Sequence, residues 1–243
     1  MKKWYLVTGG TSGIGFETSK LLFERNCNVV IVGSRSESVE DALNKLPQDC
    51  VGLTYDFRDL SHLESIFIEC SNRGIILDGL VHCAGVSPLI LLKDNSIEEM
   101  ERVYRINTFS FVELSRLFYQ EKYGKAEGAI VTVASNAAHA AGYRQVLYGG
   151  SKAAMIASVK LMAKELLNRK IRVNCVSPGA CETRLLQDLR SKSDQLDEKI
   201  IVGQPLGIIP PQEVASLIYY LLSSEAGHIT GQEFFCDGGS MLK

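Results

Sequence analysis

The sequence has little of what marks several protein classes. It contains no Cys-x-x-Cys pair, no repeat and no low-complexity linker. Its seven cysteines, at 27, 50, 70, 83, 175, 181 and 236, are odd in number and scattered. Such a set argues against a disulfide frame or a zinc site and for reduced thiols in a cytoplasmic protein, so no metal is expected. Formal net charge is −2 over 243 residues, which gives no basic footprint for nucleic acid or an anionic membrane surface. The apolar run Trp4–Val7 is too short for a signal-peptide core. No apolar stretch approaches the ~18 residues of a membrane span. With no linker and no repeat, the expectation is one domain over residues 1–243, long enough for one sizeable core.

What is present is alternation. Short β-branched runs at 3–8, 28–32, 51–55, 79–83, 129–134, 172–176 and 233–236 read as strands. Between them lie helical stretches to about 25, at about 36–46, at about 60–73, at 96–122 as one long or broken helix, from Tyr148 to about 168, within 184–204, and at 212–222. Strands alternating with helices predict an α/β fold: a single-domain, doubly wound parallel sheet, Rossmann-like, of about seven strands with helices on both faces.

The first strand runs into Thr8-Gly9-Gly10-Thr11-Ser12-Gly13-Ile14-Gly15 and then a helix. Gly9, Gly13 and Gly15 there allow a tight turn and close backbone approach to a pyrophosphate at the helix N-terminus. A purely structural turn is the alternative, and the spacing differs from the common G-x-G-x-x-G. The second strand ends Val32-Gly33-Ser34-Arg35. A carboxylate at that tip would favour NAD through the ribose 2′-hydroxyl; Arg35 instead offers a fork for a 2′-phosphate, favouring NADP(H) over NAD(H). A solvated surface arginine is the alternative. Asp56 closes the third strand, where it can accept from an adenine amino group or cap a helix or Asx turn.

Ser135 follows the fifth strand, and Tyr148 and Lys152 stand one helical turn apart on one face. A phenol with an ordinary pKa of about 10 is a poor acid or base at neutral pH. A nearby ammonium favours the phenolate, and Ser135 can bond the same substrate oxygen. These residues suit proton transfer beside a hydride donor.

Together these motifs resemble the short-chain dehydrogenase/reductase family over essentially the whole chain. Thr8-Gly-x-x-x-Gly13-Ile14-Gly15 is similar to its cofactor turn, Tyr148-x-x-x-Lys152 with Ser135 thirteen residues earlier to its catalytic triad, and Asn107 to its fourth catalytic residue. Ser177-Pro178-Gly179 with Thr183 resembles the loop that holds the nicotinamide carboxamide, and Ile229–Gln232 with Asp237-Gly238-Gly239 the C-terminal signature. The resemblance implies that Tyr148 is the acid or base, Lys152 lowers its pKa and holds the nicotinamide ribose, Ser135 polarises the carbonyl, and Asn107 supports a water-linked relay. It also implies cofactor contacts from Gly9, Thr11, Ser12, Gly13, Ile14, Gly15, Ser34, Arg35, Asp56, Phe57, Cys83, Ala84, Gly85, Pro178, Gly179, Cys181 and Thr183. One departure is His82-Cys83-Ala84-Gly85, where the family commonly has Asn-Asn-Ala-Gly. Cys83 cannot replace an amide's bonds. His82 is expected to be a packed or bonded structural histidine, and His139 a solvent-exposed loop histidine.

In the family, substrate choice rests on loops that correspond here to Val86–Leu92, Asn136–Leu147 and Arg184–Gln204, with a lid at about 184–209. Ser87, Asn136, Tyr143 and Arg144 are the candidate substrate contacts. Length and pattern resemble bacterial 3-oxoacyl-(acyl-carrier-protein) reductases, whose acidic carrier docks on basic residues. Arg169-Lys170 occupies one such position; Ala126 occupies another, near Lys122 and Lys125. The implied activity is NADP(H)-dependent reduction of a 3-oxoacyl thioester or small ketone. An NAD-dependent sugar, polyol or hydroxysteroid-type dehydrogenase and a non-catalytic dinucleotide sensor are the alternatives. The family also implies a homotetramer, or a homodimer, through helices at about 106–122 and 148–168.

Overall fold

The protein is described by a computed structural model covering residues 2–140, 142–190 and 202–242. Seven strands form one parallel sheet in the order β3-β2-β1-β4-β5-β6-β7. They are β1 (Trp4–Thr8), β2 (Asn28–Gly33), β3 (Val51–Thr54), β4 (Leu77–His82), β5 (Gly124–Val133), β6 (Arg172–Pro178) and β7 (Glu233–Cys236). The helices are α1 (Gly13–Glu24), α2 (Ser36–Leu43), α3 (Glu64–Asn72), α4 (Ile97–Tyr104), α5 (Ser110–Phe118), α6 (Val146–Glu165), α7 (Arg184–Arg190) and α8 (Pro211–Leu222).

The central strands are nearly continuous apolar runs because both sheet faces are covered. Side chains alternate across a strand. Leu6, Val30 and Ile130 therefore join the core that includes Phe67, Phe111 and Met155, under α3, α5 and α6. Val7, Ile31 and Val131 join the opposite core with Leu22, Ile218 and Leu221, under α1 and α8. Strand order reverses between β1 and β4, so their carboxyl ends leave a crevice at a topological switch point. That crevice holds the site.

Three elements differ from the sequence reading in ways that bear on the site. The expected helix over 96–122 is interrupted by one π-helical turn, Arg105–Phe109, which carries Asn107. Ser110 sits just after it, and its hydroxyl donates to the Ile106 carbonyl at 2.6 Å. β5 begins at Gly124 rather than at 129, because Gly124 pairs with Leu77 before the register shifts past Glu127, whose φ is +61°. The expected helix at about 60–73 becomes regular only from Glu64, since a turn bonded from Leu63 N to the Leu60 carbonyl precedes it. Much of the proposed lid, residues 191–201, lies outside the described residues, as do the side chains of Asp188 and Leu189.

Candidate active site

A cavity of about 880 Å³ opens along the carboxyl ends of β1, β2, β4, β5 and β6. Its floor is the glycine turn. Gly9 has φ +64°, and a Cβ there would lie 2.8 Å from the Ala84 backbone nitrogen. Gly13 has φ +52°, a region L side chains rarely adopt, and it faces the Thr183 methyl. A Cβ on Gly15 would meet the Gly9 carbonyl at 2.3 Å, so this glycine lets α1 pack onto the turn. Ser12 precedes α1 without a side-chain cap, and the first turn holds no acid. The helix's leading N–H groups thus face the cavity with their positive end uncompensated, the setting that suits a phosphate. These residues fit a dinucleotide.

At the far end, Ser34 and Arg35 line the wall beyond the β2 tip. A second cavity of about 700 Å³ adjoins them and is bordered by Lys45 and Arg184. Asp56 lines the first cavity while also closing an Asx turn: its Oδ1 accepts from Arg58 N at 2.9 Å and its Oδ2 from Arg58 Nε at 2.7 Å. The Arg58 guanidinium holds the Asp56 carboxyl below its ordinary pKa. Phe57 is buried at the same end, with Arg102 and Ile106 alongside.

The catalytic candidates meet through small residues. Gly149 approaches the Ala137 carbonyl so closely that a Cβ would sit 2.6 Å from it, which brings α6 against the turn carrying Ser135. Asn107 joins α6 to the loop after β4. Its Oδ1 accepts from Val86 N at 2.8 Å, and its Nδ2 donates to the Val86 carbonyl at 3.0 Å and to Ser151 Oγ at 2.9 Å. Thr108 Oγ1 donates to the Ser151 carbonyl at 2.9 Å, completing the weld. Lys152 Nζ donates to the Val133 carbonyl at 2.7 Å and lies 5.9 Å from the centre of the Tyr148 ring. Ser135 Oγ accepts from Ala137 N at 3.1 Å and donates a long bond to Asn136 Oδ1 at 3.5 Å, which a substrate oxygen can replace.

Burial raises the Tyr148 phenol above its ordinary pKa, and Ser135 beside it opposes that shift. The sequence reading expected Lys152 to lower it; in the polypeptide alone desolvation dominates. Burial also brings the Lys152 ammonium down to about 8, with the Cys83 and Cys175 thiols pulling the other way. The Cys83 thiol is pushed up to about 12 by burial, so it behaves as a packed neutral group. His82 is completely buried and its pKa falls to about 3, chiefly through desolvation and secondarily through Lys152. Its ring bonds Thr8 Oγ1 at 2.9 Å through Nδ1 and Ser110 Oγ at 3.4 Å through Nε2. A neutral imidazole therefore spans from the β1 tip to the helix that follows the π turn. His139 is solvent-exposed, as expected, and its Nε2 lies 2.8 Å from Glu233 Oε1.

The cavity wall brings together Gly9, Thr11, Ser12, Gly13, Ile14, Gly15, Ser34, Arg35, Asp56, Phe57, Cys83, Ala84, Gly85, Ser87, Ser135, Asn136, Tyr148, Lys152, Pro178, Gly179, Cys181 and Thr183. Asn107 stands behind this wall, where a Cβ on Gly85 would lie 3.3 Å from its Oδ1. Tyr143 and Arg144 are not on the wall: Tyr143 is 80% exposed, and Arg144 contributes its backbone, at φ +65°, by accepting from Ile90 N. Sequence reasoning missed Arg58, Arg102, Gln145, Gln204 and Ser240, all on the wall. Gln204 is buried, and its amide bonds Ala180 N at 2.8 Å and the Ala180 carbonyl at 3.0 Å. A lone glutamine or serine in a polar loop gives no sequence signal for such a role.

A family model described as enoyl-(acyl carrier protein) reductase matches residues 9–241. Carbonyl reductase family member 4 of Xenopus laevis is 32% identical over 100% of this chain and 99% of its own length. The 3-oxoacyl-[acyl-carrier-protein] reductase of Chlamydia trachomatis is 31% identical over 98% of this chain and 97% of its own. Among solved structures, 4-hydroxyisoleucine dehydrogenase complexed with NADH superposes with a TM-score of 0.90 at 27% identity, covering 100% of each chain.

Proposed function

The chain belongs to the short-chain dehydrogenase/reductase family, an oxidoreductase family that uses NAD(P)(H), and from that premise we propose that it is an NADP(H)-dependent reductase of small carbonyl compounds. When bound, the nicotinamide supplies a hydride to a carbonyl carbon or takes one from a secondary alcohol. Gly9, Gly13 and Gly15 would hold the pyrophosphate against α1, and Pro178, Gly179 and Thr183 the nicotinamide end. Ser135 Oγ, already accepting from Ala137 N, turns its hydroxyl to donate a hydrogen bond to the carbonyl oxygen and keeps its proton. Tyr148 Oη delivers a proton to the same oxygen; a buried phenol held protonated suits that acid role. Lys152, fixed by the Val133 carbonyl, places its ammonium where it stabilises the phenolate left behind. Asn107 fixes the Val86 loop and α6 around them.

NADP(H) is favoured by Arg35 at the β2 tip, with Ser34 beside it and Lys45 across the adjoining cavity. A small free carbonyl is favoured over a carrier-bound thioester by one observation: the basic residues at the carrier position are already engaged. Arg169 donates to the Tyr119 carbonyl and, at 2.8 Å, to the Gly124 carbonyl. Lys170 pairs with Glu127 at 2.8 Å, Lys122 with Glu64 at 3.0 Å and Lys125 with Asp78 at 2.9 Å. Assembly as a homotetramer or homodimer is supported by exposed Phe109, Val112 and Leu161 on and beside α5 and α6. Among the described residues no helix is long and apolar enough to cross a membrane.

NADPH oxidation against small ketones, acetoacetyl thioesters and keto-sugars tests the reading. Small ketones should be reduced. Tyr148→Phe should retain NADPH binding and lose turnover by about a thousandfold, within the usual range for a positioned acid. Undiminished turnover in that variant would overturn the mechanism.

A further inference from the structure

The C-terminal turn reaches the catalytic serine through a chain of hydrogen bonds that the proposed reaction does not use. Asn136 and Ser240 both line the cavity, and Asn136 follows Ser135 directly. Asn136 Nδ2 donates to Ser240 Oγ at 2.8 Å, and Ser240 Oγ donates to Asp237 Oδ2 at 2.9 Å. Asp237 is tied down by its own turn: Oδ1 accepts from Gly239 N at 3.1 Å and Oδ2 from Met241 N at 2.8 Å.

Counting protons along this chain fixes its polarity. A carboxylate only accepts, so the single hydroxyl proton of Ser240 is committed to Asp237. Ser240 Oγ must then accept from Asn136, which sets the amide with Nδ2 toward Ser240 and Oδ1 toward Ser135, 3.5 Å from Ser135 Oγ. A hydroxyl oxygen has two acceptor sites, and Asn136 fills one. What Ser240 presents to the cavity is therefore an acceptor without a proton to give, backed by a carboxylate. Such a corner takes a donor and repels an anion. Arg184 lines this cavity too and borders the adjoining one beside Ser12 and Phe16, whereas the groups bonded to Ser240 itself are an amide and a carboxylate.

Resting on the carbonyl-reductase reading, we propose that the substrate carries a hydroxyl on a carbon neighbouring its carbonyl, and that Ser240, polarised by Asp237 and held by Asn136, is the specificity-determining residue that accepts a hydrogen bond from that hydroxyl. The substrate class is then hydroxyketones and their vicinal diols, rather than 2-oxo acids or plain alkyl ketones. A site built to bond a hydroxyl discriminates against a methyl isostere because the methyl would cover the second acceptor site of the half-buried Ser240 oxygen without satisfying it.

The test compares acetoin with methyl isopropyl ketone, which differ by hydroxyl for methyl. Wild-type kcat/KM should favour acetoin by at least about tenfold, the equivalent of one well-placed hydrogen bond. Ser240→Ala should bring the ratio to within about twofold, and Ser240→Thr, which keeps the hydroxyl, should restore most of it. No preference in the wild type, an unchanged ratio in Ser240→Ala, or a preference for 2-oxobutanoate over acetoin would overturn the assignment. Calorimetric binding to the NADP+-loaded protein gives a readout without turnover: the vicinal diol from acetoin should bind about tenfold tighter than the alcohol from methyl isopropyl ketone, and Ser240→Ala should lose that margin. Diol preference without ketone turnover would sink the reductase reading and keep the hydroxyl site; ketone turnover without preference would do the reverse.

Discussion

The floor of the cavity and its rim are built on different principles. Floor residues sit at strand ends and in tight turns, buried, with their polar atoms committed: Lys152 to Val133, Asn107 to Val86 and Ser151, His82 to Thr8 and Ser110. Rim residues sit on loops and surface turns with large apolar side chains in solvent, such as Leu206 at 87% exposure and Tyr143 at 80%. Side-chain pairs tie these loops down, across 8 residues between Arg190 and Glu182 and across 94 between His139 and Glu233. A floor of backbone contacts tolerates few residue types and so leaves a motif. A rim of side-chain pairs tolerates many and leaves none.

The most direct way to break the floor is Gly15→Ala. Its Cβ would lie 2.3 Å from the Gly9 carbonyl, a backbone atom that cannot swing aside. Overpacking of this kind costs about 1–3 kcal/mol. Dinucleotide affinity should fall well over tenfold in a fluorescence titration because the turn must shift. An unchanged affinity would mean that the glycine is only a packing convenience.

Arg35 lies where floor gives way to rim, and it should show an intermediate effect. Losing a charge-assisted contact to a 2′-phosphate costs about 1.5–3 kcal/mol, which is roughly 10- to 150-fold. Arg35→Ala should raise KM for NADPH by that factor and leave KM for NADH within about twofold. Equal effects on both cofactors would remove Arg35 from the phosphate site.

His82 sharpens the contrast through pH. Its folded pKa of about 3 lies below the ordinary 6.5, so the folded protein refuses a proton that the unfolded chain accepts. The stabilisation is fully present above about 6.5 and is lost as pH falls toward 3, with a slope of up to about 1.4 kcal/mol per pH unit from this one group. Urea denaturation between pH 7 and pH 5 should show that loss in the wild type and a shallower one in His82→Asn, whatever that variant's absolute stability. Parallel slopes would show that His82 does not set the acid sensitivity.

The same contrast explains what was legible in the sequence. The parallel sheet was readable because both faces are buried and its strands are uninterrupted β-branched runs. The glycine turn and the Ser135, Tyr148 and Lys152 spacing were readable because each answers a backbone or one-turn constraint. The π turn at Asn107 was not, since its cause is a set of tertiary bonds from Thr108 and Asn107 to Ser151, 43 and 44 residues away. Nor was the early start of β5, which depends on Leu77 meeting Gly124. Asn136 was named as a candidate substrate contact, but Ser240 was invisible because it lies 104 residues from that partner and nothing local marks the serine. Arg58 and Arg102 carry no local signal, and only the fold brings them to the cavity wall.

Tyr143 and Arg144 give the smallest expected effect and the cleanest separation of floor from rim. Their position between Ser135 and Tyr148 suggested substrate contact, yet neither lines the cavity. What the segment contributes is backbone: the Arg144 carbonyl accepts from Ile90 N at 3.1 Å and docks the loop after β4. Side-chain truncation spares that bond. Tyr143→Ala and Arg144→Ala should therefore each change kcat and KM for a reduced ketone by less than about twofold, the range of exposed substitutions away from special features. Arg144→Gly, which relaxes a residue at φ +65°, should be neutral or slightly stabilising, because glycine enters that region without strain. Steady-state kinetics and thermal denaturation of the three variants decide it. A KM change of tenfold in Tyr143→Ala would mean that this exposed side chain closes over the substrate, and the boundary between floor and rim would have to be drawn further out.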